Sequence, residues 1–489
     1  MIQFENVSFA YSGQTDEGLK DFNLTIGDGE CVLFCGRSGC GKTTVTRLVN
    51  GVIPYFFIGE LKGRIMVNGL DIAGLPMYEI AEKVGSVFQN PRTQFFNVDA
   101  GSEIAFGLEN EGMEPEELRQ RVAQSTRELG IGQLLGRNIF ELSGGEKQKI
   151  AFASVYAMNP EVFLLDEPSS NLDMASIEEL RRLLHLIKRQ GKTILIAEHR
   201  LYYLTDLADR IVYLDQGKIS EIYTPQEFLK LSRSRREAMG LRMLSLDTVR
   251  PDIPGRPKTK PVLELRNVTV RHKKLRILEN ICLSVSAGEI IGVAGNNGAG
   301  KTTFSKALCG LHQDCEGAIL WKGTEQSRKD RLKSSYLVMQ DVNYQLFAES
   351  VIKECIFGLK SPDEKLAAAA LEELGLTPFG SRHPNTLSGG QKQRLAVAVS
   401  IVSGKEVLVF DEPTSGLDYD SMVRVARLLE ELAQRGKVVF VITHDYELVC
   451  RVCSRVLHFD GGEMPDDLEV SADNEKRLRA LFGMDKGKE

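Results

Sequence analysis

The sequence contains 489 residues, of which 42% are hydrophobic and 26% are charged, and its formal net charge is −6. This length exceeds what one hydrophobic core supports, so we expect two or more domains with the composition of a soluble globular protein. No apolar run reaches the roughly 18–20 residues of a transmembrane helix, and the N-terminus lacks signal-peptide features. These two observations predict a cytosolic protein. The negative net charge argues against general nucleic-acid binding.

The chain begins with alternating apolar and polar residues, 2–7, which predict a β-strand. A similar segment, 262–268, begins a second half in which the motifs of the first half recur in the same order. Matching residues in the back part of each half are 245 positions apart, as in Asp166 and Asp411, whereas the front part of the second copy is 14 positions shorter. The sequence is therefore an internal repeat.

A phosphate-binding loop, Gly-x4-Gly-Lys-Thr, occurs in each half, at residues 36–43 and 295–302. Each copy lies between a short apolar strand and a helix-compatible run, which is the context that this motif requires. Its glycines let backbone N–H groups approach phosphate oxygens, and the helix N-terminus adds partial positive charge. The pattern predicts ATP binding by Gly36, Ser38, Gly39, Gly41, Lys42, Thr43 and Thr44 and by Gly295, Asn297, Gly298, Gly300, Lys301, Thr302 and Thr303.

The last residues of each loop have separate expected roles. Lys42 and Lys301 would reach the β- and γ-phosphates of the nucleotide. The hydroxyl groups of Thr43 and Thr302 would hold Mg²⁺, which prefers oxygen ligands. The sequence therefore predicts Mg²⁺ together with ATP at each loop.

Tyr11 follows the first predicted strand, and superposing the Asn-Val pairs of the two strands places His272 at the matching position. An aromatic side chain just before a phosphate-binding loop can stack on adenine, so Tyr11 is a candidate for binding the base. His272 could stack more weakly, or it could be a surface residue of the basic cluster 271–274.

A glutamine follows a short apolar strand in each half, at Gln89 and at Gln340. An α/β sheet places its ligand contacts at the carboxyl ends of its strands. We therefore expect both glutamines to take part in catalysis and to contact Mg²⁺.

A serine and two glycines open a predicted helix in each half, at Ser143, Gly144 and Gly145 and at Ser388, Gly389 and Gly390. The serine hydroxyl, the free N–H groups and the helix dipole together make such a helix start an anion site. Its recurrence at a fixed distance from a phosphate loop makes it a candidate for nucleotide binding.

Two adjacent carboxylates end a nearly continuous apolar run in each half, at Asp166-Glu167 and Asp411-Glu412. Such a run predicts a strand buried on both faces, and core packing alone would not place two acids there. We expect Asp166 and Asp411 to hold Mg²⁺. Glu167 and Glu412 are candidates for polarising the attacking water.

His199 and His444 each follow the last predicted buried strand of their half, at the same distance from the aspartate. A lone histidine would more often be structural, but this repeated position favours a contact with the γ-phosphate. Between the halves, residues 230–261 are rich in arginine and end in several prolines, which is typical of a linker.

The order of these motifs resembles that of the ABC (ATP-binding cassette) ATPases, twice and over nearly the whole chain. The resemblance implies an α/β fold of two P-loop ABC ATPase cassettes in tandem, each with a RecA-like core, an antiparallel β subdomain and a helical subdomain. It divides the chain into a first cassette at residues 1–229, a linker at 230–261 and a second cassette at 262–489.

In that family two cassettes pair head to tail, with nucleotide between the phosphate loop of one and the Ser-Gly-Gly of the other. The resemblance implies intramolecular pairing of the two cassettes and two hydrolysis-competent sites, because both halves keep every catalytic residue type. One site would combine residues 388–390 with Lys42, Gln89, Asp166, Glu167 and His199. The other would combine residues 143–145 with Lys301, Gln340, Asp411, Glu412 and His444.

The segment 89–96 looks like the glutamine loop of energy-coupling-factor (ECF) importers, and 340–347 repeats its second glutamine and phenylalanine without the proline. Residues 50–63 and 197–200 also look like the fused ATPases of that group. The resemblance implies a peripheral protein on the cytoplasmic face of the cell membrane, with a transmembrane scaffold, a substrate-capturing membrane subunit, no nucleic-acid partner, and a vitamin or transition-metal cargo. The candidates for transmitting motion to the scaffold are Gln94, Phe95, Phe96, Gln345, Leu346 and Phe347.

Two other functions remain open. Tandem ATPases of sugar importers have a similar length and motif order but usually carry one departing catalytic half. Ribosome-associated tandem ABC proteins carry a long charged helical linker, whereas only about thirty residues with several prolines lie between these halves.

Overall fold

The structure is a computed structural model that describes residues 1–12, 18–170, 172–251, 260–273 and 275–484. The chain forms two compact units, one of Met1–Asp247 with Gly416–Asp420 and one of Thr248–Ser415 with Ser421–Glu489. Part of the predicted linker, 252–259, lies outside the described residues, and the boundaries of the two cassettes stay a prediction. Within the described ranges, no helix is both long and apolar enough to cross a membrane.

The first unit contains ten strands and nine helices among its described residues. The strands are β1 Ile2–Tyr11, β2 Gly18–Ile26, β3 Cys31–Gly36, β4 Gly59–Val67, β5 Leu70–Asp71, β6 Val84–Val87, β7 Val162–Asp166, β8 Thr193–Ala197, β9 Arg210–Asp215 and β10 Lys218–Tyr223. The helices are α1 Lys42–Val49, α2 Val52–Tyr55, α3 Met77–Lys83, α4 Ala100–Asn110, α5 Pro115–Glu128, α6 Gly144–Met158, α7 Met174–Arg189, α8 Pro225–Leu229 and α9 Arg233–Ala238.

The second unit repeats the order of the strands, but among its described residues it has no counterpart of α2 and has an additional helix between β18 and β19. Its strands are β11 Pro261–His272, β12 Leu275–Ser286, β13 Ile290–Ala294, β14 Cys315–Trp321, β15 Thr324–Glu325, β16 Ser335–Val338, β17 Val407–Asp411, β18 Val438–Ile442, β19 Arg455–Asp460 and β20 Glu463–Glu469. Its helices are α10 Lys301–Leu308, α11 Arg328–Ser334, α12 Val351–Ile356, α13 Glu364–Glu373, α14 Gly389–Val402, α15 Tyr419–Gln434, α16 Tyr446–Val452 and α17 Glu475–Leu481.

Each unit contains a six-stranded sheet and a four-stranded antiparallel sheet. The six-stranded orders are β10-β9-β3-β8-β7-β6 and β16-β17-β18-β13-β19-β20, and within each sheet five strands are parallel and one edge strand is antiparallel. The antiparallel sheets have the orders β2-β1-β4-β5 and β12-β11-β14-β15. This arrangement confirms the predicted α/β fold.

The apolar strands of the six-stranded sheet are buried on both faces. In β7, Phe163 and Leu165 pack into one core cluster with α6 and α7, while Val162 and Leu164 pack into another with α1 and the antiparallel sheet. This two-sided burial explains why the sequence of the strand is a continuous apolar run and does not alternate between apolar and polar residues. Its carboxyl end is the first place where a polar side chain can reach solvent.

A helical subdomain follows the glutamine of the first unit. Helices α4 and α6 and the 3₁₀ turns between α5 and α6 share a separate apolar core that includes Ile104, Leu108, Ile139 and Ile150. The predicted helix from the Ser-Gly-Gly motif to Met158 is α6. In the second unit the matching helices are α12, α13 and α14, which contact one another.

Candidate functional site

The phosphate-binding loops link the central strand of each large sheet to its first helix. Gly36 ends β3 at φ 145°, where an added Cβ would lie 2.3 Å from the backbone oxygen of Leu214. Gly295 follows β13 at φ 142°, where a Cβ would lie 2.2 Å from the oxygen of Phe459. Only glycine fits such a close approach, so both loops keep a backbone path that leaves their N–H groups available for phosphate.

Both loop lysines are buried and curl back over their own loops. Lys42 Nζ donates hydrogen bonds to the backbone oxygens of Gly36 and Arg37, at 3.2 and 3.0 Å. Lys301 Nζ donates to the corresponding oxygen of Gly295, at 2.6 Å. The ammonium group of each lysine is therefore held at the centre of the loop, where it can bind phosphate oxygens.

The predicted Mg²⁺ residues of the first unit lie together. Thr43 Oγ1 donates to Asp166 Oδ1 across 3.3 Å, and Gln89 lines the same cavity, of about 510 Å³. Burial raises the pKa of the carboxyl groups of Asp166 and Asp411, so a cation beside either carboxylate would be favoured. These oxygen donors fit Mg²⁺, which takes few protein ligands beside substrate phosphates.

The two glutamates that are candidates for catalysis occupy the same backbone conformation. Glu167 and Glu412 follow β7 and β17 with φ of 46° and 49°, a left-handed region that non-glycine residues rarely enter. Such local strain is typical of functional sites, where it aims a side chain. In both units the carboxylate lies 3.5 Å from a histidine Nε2, that of His199 in the first unit and that of His444 in the second.

The predicted glutamine of the first unit reaches the same glutamate. Gln89 Nε2 donates a hydrogen bond to Glu167 Oε2 at 2.6 Å. Glu167 thus lies between the amide of Gln89 and the imidazole of His199. The first unit brings together the side chains that its motifs predict for catalysis.

The protonation states in this site follow from burial and neighbouring charge. Burial and, to a smaller extent, the nearby carboxylate of Glu198 raise the pKa of the Glu167 carboxyl to about 8, against the lowering effect of the Lys42 ammonium. Burial and the charge of Lys42 hold the pKa of His199 well below its ordinary value. His199 is therefore neutral at neutral pH and can donate a single hydrogen bond toward a phosphate.

Glu198 is a buried carboxylate that the motifs did not indicate as a site residue. Its oxygens accept hydrogen bonds from the N–H groups of His199 and Ser169, at 2.7 and 3.2 Å, and from the Tyr203 hydroxyl at 2.9 Å. The matching residue of the second unit is Thr443, so the charge behind the catalytic glutamate differs between the halves.

Each Ser-Gly-Gly serine caps the helix that it opens. Ser143 Oγ accepts from the N–H of Glu146, whose carboxylate accepts the N–H of Ser143 at 2.8 Å. Ser388 and Gln391 form the same capping box, again at 2.8 Å. This box fixes the start of α6 and of α14, and it leaves the glycine N–H groups 144–145 and 389–390 at the helix N-terminus.

Tyr11 and His272 differ in environment. Tyr11 lies beside the first phosphate loop, and its hydroxyl is 3.2 Å from Thr44 Oγ1. It lines a cavity of about 670 Å³ that also contains Ser38, Lys42 and Glu167. His272 is exposed at the end of β11.

The comparisons with known proteins agree with this geometry. The ABC transporter family profile matches residues 19–170 and 278–415. A protein of Treponema denticola, provisionally named an ABC transporter ATP-binding protein, is 48% identical over 98% of this chain and 99% of its own. A protein of Methanosarcina mazei with the same name is 33% identical over 95% of this chain and 88% of its own.

Among solved structures, the RNase-L inhibitor matches 98% of this chain and 93% of its own with a TM-score of 0.65 and 22% identity. At this identity the likeness shows the fold alone. The family profile covers more than half of the chain, and the relatives are similar along its length. The chain belongs to the ABC transporter family and is an ATPase built from two ABC cassettes in tandem.

Proposed function

We propose that this chain is the ATP-hydrolysing, energy-coupling subunit of a membrane importer of the ECF type. The observation that carries the proposal is an exposed phenylalanine in the loop after the predicted catalytic glutamine of each half, with its backbone N–H bonded to a buried glutamate. Phe96 and Phe347 are 75% and 69% exposed. They follow Gln89 and Gln340 at the same distance along the chain.

A buried glutamate fixes the backbone of each phenylalanine. Glu103 accepts the N–H of Phe96 at 3.0 Å, and Glu354 accepts the N–H of Phe347 at 2.8 Å. Both carboxylates are 3% exposed, although acidic side chains are rarely buried unless they are paired. A buried acid in each half that holds an exposed aromatic residue in place favours a built contact surface over incidental exposure.

The second glutamine of each loop ties this surface to the catalytic strand. In the first unit, Gln94 Oε1 accepts a hydrogen bond from the backbone N–H of Phe88 at 3.4 Å, and Gln94 Nε2 donates one to the backbone oxygen of Ser86 at 3.2 Å. In the second unit, Gln345 Oε1 accepts a hydrogen bond from the backbone N–H of Met339 at 2.7 Å. Movement of either exposed phenylalanine would therefore be transmitted to the strand that precedes the catalytic glutamine.

The apolar patch around each phenylalanine suits a helix of a partner. Phe96 stacks on Phe106 with ring centroids 4.9 Å apart, and Val98 beside it is 57% exposed. The second unit exposes Tyr344, Phe347 and Phe357 by 63–69%. Rigid exposed aromatic patches mark protein interfaces, and an amphipathic helix binds in such a groove through its apolar face. We assign this role to a helix of a transmembrane scaffold.

In the proposed mechanism, ATP binds between the phosphate loop of one cassette and the Ser-Gly-Gly of the other. Thr43, Gln89 and Asp166, and Thr302, Gln340 and Asp411, would hold Mg²⁺, which offsets phosphate charge. Glu167 and Glu412 accept the proton of the attacking water, and His199 and His444 contact the γ-phosphate. ATP drives the scaffold because it binds the closed form of the cassette pair better than the open form.

The cargo of this importer would be bound by a separate membrane subunit, which fits a chain whose described helices do not span a membrane. A vitamin or a transition-metal ion is the cargo class that the ECF resemblance favours. The protein would then lie on the cytoplasmic face of the membrane, held there by its partners.

Co-purification from detergent-solubilised membranes tests the proposal. We expect the tagged wild-type chain to retain a transmembrane scaffold and a small ligand-holding membrane protein. The double variant F96E/F347E should lose both partners, and it should hydrolyse ATP at the rate of the isolated wild-type chain. L275E is the matched control, because Leu275 is 67% exposed outside the patch. Unchanged membrane partners in F96E/F347E, or ribosomal RNA in their place, would contradict the proposal. A soluble sugar-binding protein among the partners would favour the sugar-importer function instead.

A further inference from the structure

The first unit exposes a run of large apolar side chains at the end of the short helix α2, which follows the phosphate-loop helix α1. In this aromatic segment, residues 55–58, Tyr55 is 48%, Phe56 is 72% and Ile58 is 77% exposed, and Phe57 is half-buried. Contiguous exposed apolar side chains mark a surface that another molecule covers. The phosphate and Mg²⁺ motifs do not include this segment, although Phe56 and Phe57 also line the cavity of about 510 Å³ that contains Gln89 and Asp166.

The aromatic segment and the phosphate loop line the same cavity. Its volume is about 670 Å³, within the range of small-molecule sites. Ser38, Gly39 and Lys42 line it, and so do Phe56 and Phe57. The cavity thus combines phosphate-binding groups with an aromatic wall.

A chain of contacts ties the aromatic wall to the phosphate-loop helix α1. The guanidinium carbon of Arg47 lies 4.0 Å from the centroid of the Phe57 ring, a cation–π contact. Arg47 also donates to the Tyr11 hydroxyl at 3.2 Å, and the rings of Tyr11 and Phe57 meet edge to face at 6.1 Å. Phe57 and Tyr11 are therefore held in fixed positions relative to the loop.

A nucleobase is the occupant that this cavity fits. A nucleotide has a charged phosphate end and a flat aromatic end, and the cavity offers cationic and N–H groups together with aromatic faces. Stacking on aromatic side chains stabilises a base whatever its hydrogen-bonding edge. We propose that Phe56 and Phe57, together with Tyr11, form the binding wall for the base of the nucleotide at the Lys42 loop.

The second unit has no matching aromatic segment among residues 260–273 and 275–321. After Gly310, which matches Gly51, the chain passes through Leu311 and His312 and enters β14 at Cys315. His312 Nε2 is bonded to the oxygen of Arg271 at 2.6 Å. The nucleotide at the Lys42 loop is therefore bound more tightly than the one at the Lys301 loop.

The test uses the full chain with one phosphate loop disabled, K301A or K42A, and measures binding by calorimetry. The probes are ADP and inorganic tripolyphosphate, which lacks a base. In the K301A chain, we expect F56A and F57A each to weaken ADP binding about tenfold, equivalent to about 1.4 kcal/mol, and to leave tripolyphosphate binding unchanged. F57L keeps the apolar bulk of this half-buried side chain but removes the ring, and it should weaken ADP in the same way.

The matched control is L311A in the K42A chain, which should leave ADP binding unchanged. We also expect ADP to bind the K301A chain at least tenfold more tightly than the K42A chain. The inference would be overturned if ADP bound the K301A and K42A chains equally tightly, or if F56A and F57L left ADP binding unchanged. It would also be overturned if these variants weakened ADP and tripolyphosphate binding equally. It rests on the ATP sites of the proposed function but not on the membrane partners, so failure to capture a scaffold would leave this result unaffected.

Discussion

The Nε2 amide of Gln89 donates a 2.6 Å hydrogen bond to Oε2 of Glu167 in the first cassette. Gln89 is placed by the loop that also presents the exposed Phe96, so this bond connects the proposed partner surface to the catalytic carboxylate. A hydrogen bond to the charged form of a carboxyl favours that form. In the proposed mechanism, Gln89 orients Glu167 so that its carboxylate can act as the general base.

We expect Q89A to lower ATP turnover by about tenfold, since a misplaced catalytic group typically costs this much or more. The affinity for ADP should change little, because the amide contacts the glutamate rather than the phosphate loop. Steady-state hydrolysis and ADP calorimetry on the same preparation would check this. Q124A removes an exposed glutamine in helix α5 and is the matched control. A wild-type rate in Q89A would contradict the assigned role.

The pH dependence of hydrolysis provides a second prediction. The Glu167 pKa of about 8 means that this carboxyl is mostly protonated at neutral pH, and its basic form increases as the pH rises toward 8. E198Q removes a neighbouring negative charge and so lowers the pKa of Glu167. The rise in activity should therefore move to lower pH in E198Q.

The full pH–rate profile of E198Q, measured beside E109Q, would check this shift. Glu109 is exposed in helix α4, so its substitution should leave the profile in place. If the E198Q profile coincided with that of the wild type, Glu198 would not control the protonation of Glu167.

Residue type and spacing were sufficient to predict which side chains lie together at the candidate site, while their roles stay a prediction. Lys42, Asp166 and Glu167 each belong to a short motif, because a phosphate and its cation demand those groups at a strand end. The two-sided burial of β7 was also readable as an unbroken apolar run. The large sheet could be predicted as a class, but its strand order depends on pairings between distant segments such as β3 and β9.

The residues that sequence reasoning missed act through tertiary contacts. Arg47 reads as an ordinary basic residue in the last turn of a helix, and only the folded chain places it over Phe57. Glu103 and Glu354 read as helix surface charges, yet each is buried against the backbone of an exposed phenylalanine. Strand β1 extends beyond the predicted 2–7 to Tyr11, because register shifts after Phe4 and Val7 let pairing with β2 continue.

A repeated ion pair gives a prediction on stability. Arg455 and Glu289 are each 1% exposed and lie 2.7 Å apart, while the matching Arg210 and Glu30 have side chains that are 30% and 18% exposed. Removing Glu289 leaves the buried Arg455 with Asp467 alone, at 2.6 Å. Losing one partner of a buried pair costs up to about 3 kcal/mol, whereas more exposed pairs contribute about 1 kcal/mol or less.

Thermal unfolding followed by circular dichroism should therefore show a larger fall in the midpoint for E289Q than for E30Q. The two substitutions are matched in chemistry and in position within the repeat. Equal shifts would mean that burial does not govern the strength of this pair.

The proposed mechanism requires that the two cassettes share their ATP sites, and steady-state hydrolysis by E167Q and E412Q tests this sharing most directly. Each substitution keeps the size of the side chain and removes the general base of one site. If ATP binding and hydrolysis act on one closed cassette pair, each single variant should retain less than about one tenth of wild-type turnover, a loss typical of a missing general base. Full turnover in either single variant would show that the sites work independently and would contradict the account.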